Sequence, residues 1–124
     1  MEKRATILVV EDDDDIRDMV AEILEDYGYR VLCAQNADAA LAILRRDRDI
    51  DLMFTDIIMP GHLNGVDLAQ AALDIQPHLK LLFASGYASQ AVLAPLQDRL
   101  SSAFISKPYR PRELAARIAA LLDE

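Results

Sequence analysis

The sequence predicts an α/β domain in which five parallel strands form one doubly wound sheet with helices on both faces. Short apolar runs alternate with segments whose apolar residues recur at helical spacing, and the alternation repeats five times. This order favours a parallel sheet with right-handed crossovers. The chain has 124 residues and 52% are hydrophobic, which suffices for one buried core. We therefore expect residues 1–124 to form a single domain.

The predicted strands are short apolar runs that end at Pro, Gly or polar residues. The first is continuous and rich in β-branched residues, as is typical of a strand buried on both faces. The third ends at Asp56, just before the turn-forming Pro60. The five strands are Thr6–Val10, Tyr29–Ala34, a run ending at Asp56, Leu79–Ala84 and Ala103–Ser106.

Helices are predicted between and after these strands. Gly28 is placed to end the first helix, and Asn36 to cap the second. Pro95 lies inside the fourth and costs roughly 3 kcal/mol in a helix interior, so we expect that helix to be kinked, short or restarted. The first helix carries Ile16, Met19, Val20, Ile23 and Leu24 at helical spacing; the others are Ala37–Arg46, Val66–Ile75, Ser89–Leu100 and Arg112–Leu122.

Charge and cysteine content restrict the function. The net charge of −8 disfavours binding to nucleic acid phosphates. The single cysteine, Cys33, excludes an internal disulfide and favours a reducing compartment. Its apolar neighbours predict a small buried hydrophobe. No apolar run approaches the length of a membrane span or a signal-peptide core, so we expect a soluble cytoplasmic protein.

Polar residues end four of the five strands. Glu11 and Asp12 follow the first strand, Asp56 ends the third, Ser85 follows the fourth and Lys107 the fifth. In a parallel sheet these ends meet at one edge, where ligands bind. Three carboxylates there repel one another unless a cation intervenes, and an all-oxygen site suits Mg²⁺. A nearby lysine suits an anion, so the set indicates phosphoryl transfer.

Four short motifs strengthen this interpretation. In this order and spacing, the chain resembles the receiver domain of bacterial two-component response regulators over essentially its whole length, including stand-alone receivers and those of hybrid histidine kinases. The resemblance implies a flavodoxin-like sheet with strand order 2-1-3-4-5. The motifs are Val9-Val10-Glu11-Asp12, Thr55-Asp56-Ile57-Ile58-Met59-Pro60, Ser85-Gly86 and Lys107-Pro108.

The resemblance also implies roles for single residues. Asp56 corresponds to the carboxylate that takes a phosphoryl group from a histidine kinase or histidine phosphotransfer protein, with Mg²⁺ as cofactor. The other positions fall into three groups around it. The metal ligands are Glu11 through water, Asp12, Asp56 and the backbone carbonyl of Ile58; the phosphoryl contacts are Ser85, Gly86 and Lys107; and the switch residues are Ser85 and Phe104.

Phosphorylation is then expected to shift the surface formed by the last two predicted helices and the last strand. The output would pass to a downstream protein partner, a phosphorelay or a parent protein such as a hybrid histidine kinase. Such a domain catalyses its own phosphorylation and dephosphorylation and is not otherwise an enzyme. A homodimer through the last two helices fits the pattern, and so does an ordinary core-facing closing helix.

Three other functions are weighed against this one. A phosphatase with an Asp nucleophile needs an acid/base carboxylate two residues later, where Ile58 stands. A nucleotide- or flavin-binding module needs a Gly-rich loop after the first strand, where an acidic run stands instead. A receiver-like scaffold without phosphoryl transfer disagrees with the complete acidic and lysine set.

The loop 61–65 is one residue longer than usual in the family, and His62 and His78 are expected at the surface.

Overall fold

The computed structural model describes residues 4–56, 65–85 and 103–123. Five parallel strands form one sheet in the order β2-β1-β3-β4-β5, which confirms the predicted class and strand order. Helices connect and follow the strands on both faces. The elements are β1 (Thr6–Val10), α1 (Asp14–Asp26), β2 (Arg30–Ala34), α2 (Ala37–Arg46), β3 (Leu52–Asp56), α3 (Gly65–Ile75), β4 (Lys80–Ser85), β5 (Ala103–Ser106) and α4 (Pro111–Leu122).

Several predictions concern parts of the chain outside the described residues. These are the helix over 89–100 with Pro95, residues 61–64 of the longer loop with His62, the carbonyl of Ile58, and Gly86. The last residue of the predicted loop, Gly65, begins α3. None of the helices in the described part of the chain has the length and apolarity that crossing a bilayer requires.

Local sequence sets the helix ends. The Asp13 carboxylate caps α1 by accepting from the Ile16 N–H at 3.1 Å, and Asn36 caps α2 by accepting from the Ala39 N–H at 2.8 Å. The predicted Asn36 cap is therefore confirmed. Gly28 follows α1 at φ 96°, a left-handed conformation that glycine adopts without a steric penalty.

The core lies on both faces of the sheet. On one face, β1, β3 and β4 pack against α2 and α3; on the other they pack against α1 and α4. The first face includes Leu8, Val10, Met53 and Phe83, and the second includes Ile7, Val9, Leu52, Phe54 and Leu82. Alternate residues of β1 thus enter opposite halves of the core, so its unbroken apolar run reflects burial on both sides.

The prediction that Cys33 is a buried hydrophobe is wrong, because its side chain is exposed. The strand β2 lies at the edge of the sheet, and the buried residue at its end is the next one, Ala34.

A similar difference affects α1. Ile16 and Met19 continue the helical spacing but are 39% and 52% exposed, whereas Val20 and Leu24 are buried. Periodicity alone therefore overestimated the buried face.

At the amino-terminal ends of the strands, polar side chains form hydrogen bonds with the backbone. The Asp51 carboxylate accepts from the Thr6 N–H at 2.8 Å. The buried Gln76 amide donates to the carbonyls of Leu44 and Asp47 at 3.0 and 2.9 Å. The two Gln76 bonds satisfy carbonyl groups at the end of α2 that the helix leaves unpaired.

Candidate functional site

The strand register brings the predicted polar residues to one edge of the sheet. Val10 pairs with Thr55, so Glu11 comes one position beyond this pair, beside Asp56. Asp56 pairs in turn with Ala84 on β4. Ser85 ends β4 and pairs with Ser106, the last residue of β5. Lys107 follows directly, so residues distant in sequence come together through sheet register alone.

An ion pair connects β3 to the end of β5 across the strand between them. The Lys107 Nζ contacts the Asp56 Oδ2, and the Asp56 side chain is 13% exposed against 39% for Lys107. Neighbouring strands lie about 4.8 Å apart, so the lysine reaches over β4. The Lys107–Pro108 peptide bond is cis.

The carboxylates at this edge influence one another. Burial raises the pKa of the Glu11 carboxyl, and the nearby Asp12 and Asp56 carboxylates raise it further. A hydrogen bond from the Asp13 N–H to Glu11 Oε1, at 3.1 Å, acts in the opposite direction. Burial is the largest of these effects, and a positive charge beside Glu11 would offset both the burial and the repulsion.

The oxygen donors fit a hard divalent ion such as Mg²⁺. Within the described ranges, no three Asp, Glu, His or Cys side chains converge closely enough to form a metal-binding group by themselves. Mg²⁺ is usually held by one or two carboxylates together with waters and a phosphate, so a complete protein cage is not required. Glu11, Asp12 and Asp56 supply the appropriate chemistry, and their assignment as ligands stays a prediction.

Tyr109 belongs to the surroundings of the site, although the sequence analysis did not identify it. Its ring meets the ring of Phe54 edge-on, with centroids 5.9 Å apart and planes at 73°. Burial raises the pKa of Tyr109 to about 12, and the negative charges of Glu11 and Asp56 add to this shift. The sequence feature that could have indicated Tyr109 is its position, an aromatic residue two places after Lys107.

Two aromatic rings lie on the face of the sheet opposite Phe54, two residues before the ends of β4 and β5. Phe83 and Phe104 are paired in register, and their rings stack with centroids 5.7 Å apart and planes at 19°. Phe83 is fully buried, while Phe104 is partly exposed. The Phe104 carbonyl accepts from Arg117 Nη1 of α4 at 3.1 Å. The predicted switch residue is thus connected to both the core and the closing helix.

Replacing Tyr109 by Phe is expected to make the fold less sensitive to alkali. The unfolded chain releases the phenolic proton near pH 10, whereas the folded protein holds it to about 12. The stabilisation is therefore present below pH 10 and is lost as the pH rises through about 12. Thermal unfolding across this range should show a smaller loss for Tyr109→Phe than for the unchanged protein. Tyr27→Phe, at an exposed ring, is the control, and an equal loss in both variants would contradict the assignment.

Sequence comparison relates the chain to known proteins. A profile of the response regulator receiver domain matches residues 7–119. The chain is 34% identical over 116 residues to the response regulator receiver protein CpdR of Brucella abortus, with 94% of this chain and 95% of CpdR covered. It is 31% identical over 121 residues to the sensor kinase CckA of the same organism, covering 97% of this chain but 13% of CckA.

Structural comparison leads to the same group. A CheY-like response regulator receiver domain protein from Methanospirillum hungatei superposes with a TM-score of 0.90 at 33% identity, covering 98% of this chain and 95% of that protein. The similarity thus extends over nearly the whole sheet and its helices. Sequence and fold comparisons agree on one family.

Proposed function

Because the chain belongs to the family of response regulator receiver domains, we propose that it is a phospho-accepting switch of two-component signalling with Asp56 as the acceptor. The observation that carries this proposal is the ion pair between Asp56 and Lys107 at the carboxyl edge of the sheet. A carboxylate oxygen beside a positive charge supports this role, because transfer of an anionic phosphoryl group uses both. Residues 1–124 would act as one receiver domain.

In the proposed reaction, an Asp56 carboxylate oxygen attacks the phosphorus of a phosphohistidine on a histidine kinase or phosphotransfer protein. A P–O bond forms and the P–N bond breaks, leaving an acyl phosphate on Asp56 and a histidine that takes up a proton. Asp12, Asp56, the carbonyl of Ile58 and, through water, Glu11 would hold Mg²⁺, which would neutralise charge on the phosphoryl oxygens. Lys107 would exchange its carboxylate partner for those oxygens.

The conformational change would spread from the phosphorylation site to the opposite face of the sheet, where Phe83 and Phe104 lie. Ser85 ends β4 in register with Ser106. Ser85 and the following Gly86 would contact the phosphoryl group, and Ser85 would move toward it. Phe104 would respond because it lies in the strand beside β4 and stacks on Phe83. Its carbonyl contact with Arg117 extends the change to α4. A downstream protein would bind the surface formed by β5 and α4. Alternatively, a second copy of the chain would bind this surface together with the segment 89–100.

Two arrangements of the chain are compatible with this switch. One is a stand-alone regulator, in line with the similarity to the receiver protein CpdR, and the other is a module of a hybrid kinase, in line with the similarity to CckA. In both, we propose a cytoplasmic domain that catalyses its own phosphorylation and dephosphorylation and no other reaction. The Asp-nucleophile phosphatase is less favoured because Ile58 offers no acid or base two residues after Asp56.

Incubation with acetyl phosphate and Mg²⁺ tests the proposal. We expect intact-mass spectrometry to detect one added phosphoryl group that hydroxylamine removes, since acyl phosphates are labile to this nucleophile. Chelation with EDTA should suppress the labelling. Purified phosphohistidine donors provide the second arm. If neither acetyl phosphate nor any phosphohistidine donor labels the protein in Mg²⁺, the proposed function is wrong.

A further inference from the structure

Arg17 holds the peptide that joins the two acidic residues of the site. Its Nη1 donates to the carbonyl oxygen of Glu11 at 2.9 Å, and that carbonyl belongs to the Glu11–Asp12 peptide bond. Its Nη2 donates to Asp14 Oδ1 at 2.5 Å. The Arg17 side chain is 16% exposed against 77% for Asp14. One guanidinium thus connects the beginning of the β1–α1 loop to the first turn of α1.

The backbone N–H of Glu11 is hydrogen-bonded as well. Its N–H donates to the Ala34 carbonyl of β2 at 3.0 Å. Because a peptide unit is planar, fixing the Glu11 carbonyl also fixes the direction in which the chain leaves toward Asp12. Asp12 is exposed, so surrounding packing does not hold it. Its placement depends on this backbone anchor.

We propose that Arg17 is the positioning residue that presents the Glu11 and Asp12 carboxylates to a divalent cation beside Asp56. This inference rests on the proposed function. Arg17 touches neither the cation nor the phosphoryl group and acts through the loop. Partners of this kind, one shell away from a metal, typically change its affinity about 10–100-fold when they are removed. The two-pronged guanidinium suits the task because its donors diverge in a fixed plane.

The sign of the effect separates positioning from simple electrostatics. Arg17 is positively charged, so removing it lowers the repulsion on an incoming cation and by itself strengthens Mg²⁺ binding. Loss of positioning has the opposite effect, because two carboxylates then pay an ordering cost when the ion binds. We expect positioning to dominate at this partly buried site, so that Mg²⁺ binds more weakly.

The test is a Mg²⁺ titration of the full chain, followed by amide chemical shifts. Arg17→Met keeps the aliphatic stem while removing the donors, and its dissociation constant should rise about 10-fold. Arg17→Lys retains the charge but replaces the planar guanidinium with a compact ammonium that cannot span both partners in the same way, so its constant should lie between those of Arg17→Met and the unchanged protein. Labelling by acetyl phosphate should recover at saturating Mg²⁺, because the reacting groups remain.

The matched control is Arg46→Met, which removes one positive charge from an exposed position on α2 and should leave Mg²⁺ affinity unchanged. Unchanged or tighter binding in Arg17→Met overturns the inference while the proposed function stands. If that variant does not fold, Arg17→Lys decides: weaker binding supports the inference, and equal or tighter binding overturns it. Absence of Mg²⁺ binding by the unchanged protein would overturn both proposals.

Discussion

Asp56→Asn is expected to reduce phosphoryl labelling to background. The amide has no anionic oxygen with which to attack phosphorus, so an acyl phosphate cannot form. The replacement is nearly isosteric, and β3 retains its register with β1 and β4. Intact-mass spectrometry after incubation with acetyl phosphate and Mg²⁺ measures the result directly. The thermal midpoint of the same sample shows whether the variant is folded.

Asp74→Asn is the appropriate control for this variant. Asp74 is exposed near the end of α3, and α3 ends at the edge of the sheet away from Asp56. The same chemical change there should leave labelling intact. Labelling of Asp56→Asn at the level of the unchanged protein would show that another residue accepts the phosphoryl group. The role assigned to the Lys107 ion pair would then be wrong.

Phe83→Ala is expected to cost about 3–5 kcal/mol of unfolding free energy, which is the range for removing a buried Phe side chain. The ring is fully buried and stacks on Phe104, so its loss leaves a cavity beneath the proposed switch. Folded domains are stable by roughly 5–15 kcal/mol, so this loss would be a large part of the total stability. Denaturant unfolding followed by circular dichroism measures the change.

Met19→Ala is the control for the core substitution. Met19 is 52% exposed, so its truncation should change the unfolding free energy by no more than about 0.5 kcal/mol. Both variants should retain the denaturant slope of the unchanged protein, since they expose similar surface on unfolding. A loss below about 1 kcal/mol for Phe83→Ala would mean that the neighbouring side chains fill the cavity, and that Phe104 does not depend on the stacking.

Most of the fold was predictable because its signals are local. The bounds of α2 and β5, the Asn36 cap and the end of β3 at Asp56 all agree with the structure. Each depends on residues a few positions apart. The convergence of Asp56 and Lys107 was predictable for a related reason. Parallel strands deliver their last residues to one edge, so strand direction alone brings them together.

The errors and omissions have a different origin. The exposure of Cys33 depends on β2 being an edge strand, which is a property of the whole sheet. Ile16 and Met19 match the helical pattern, but no neighbour covers them among the described elements. Tyr109 was overlooked because its relation to the carboxylates depends on where the chain turns after β5.

The sequence by itself determined which segments become strands and helices and which polar side chains end the strands, because hydrophobic period, caps and breakers act over a few residues. The tertiary structure alone decided that Arg17 holds the Glu11 carbonyl and that Tyr109 lies beside Glu11 and Asp56. Such contacts depend on how helices sit against the sheet, and packing sets that geometry only when all the elements are present together.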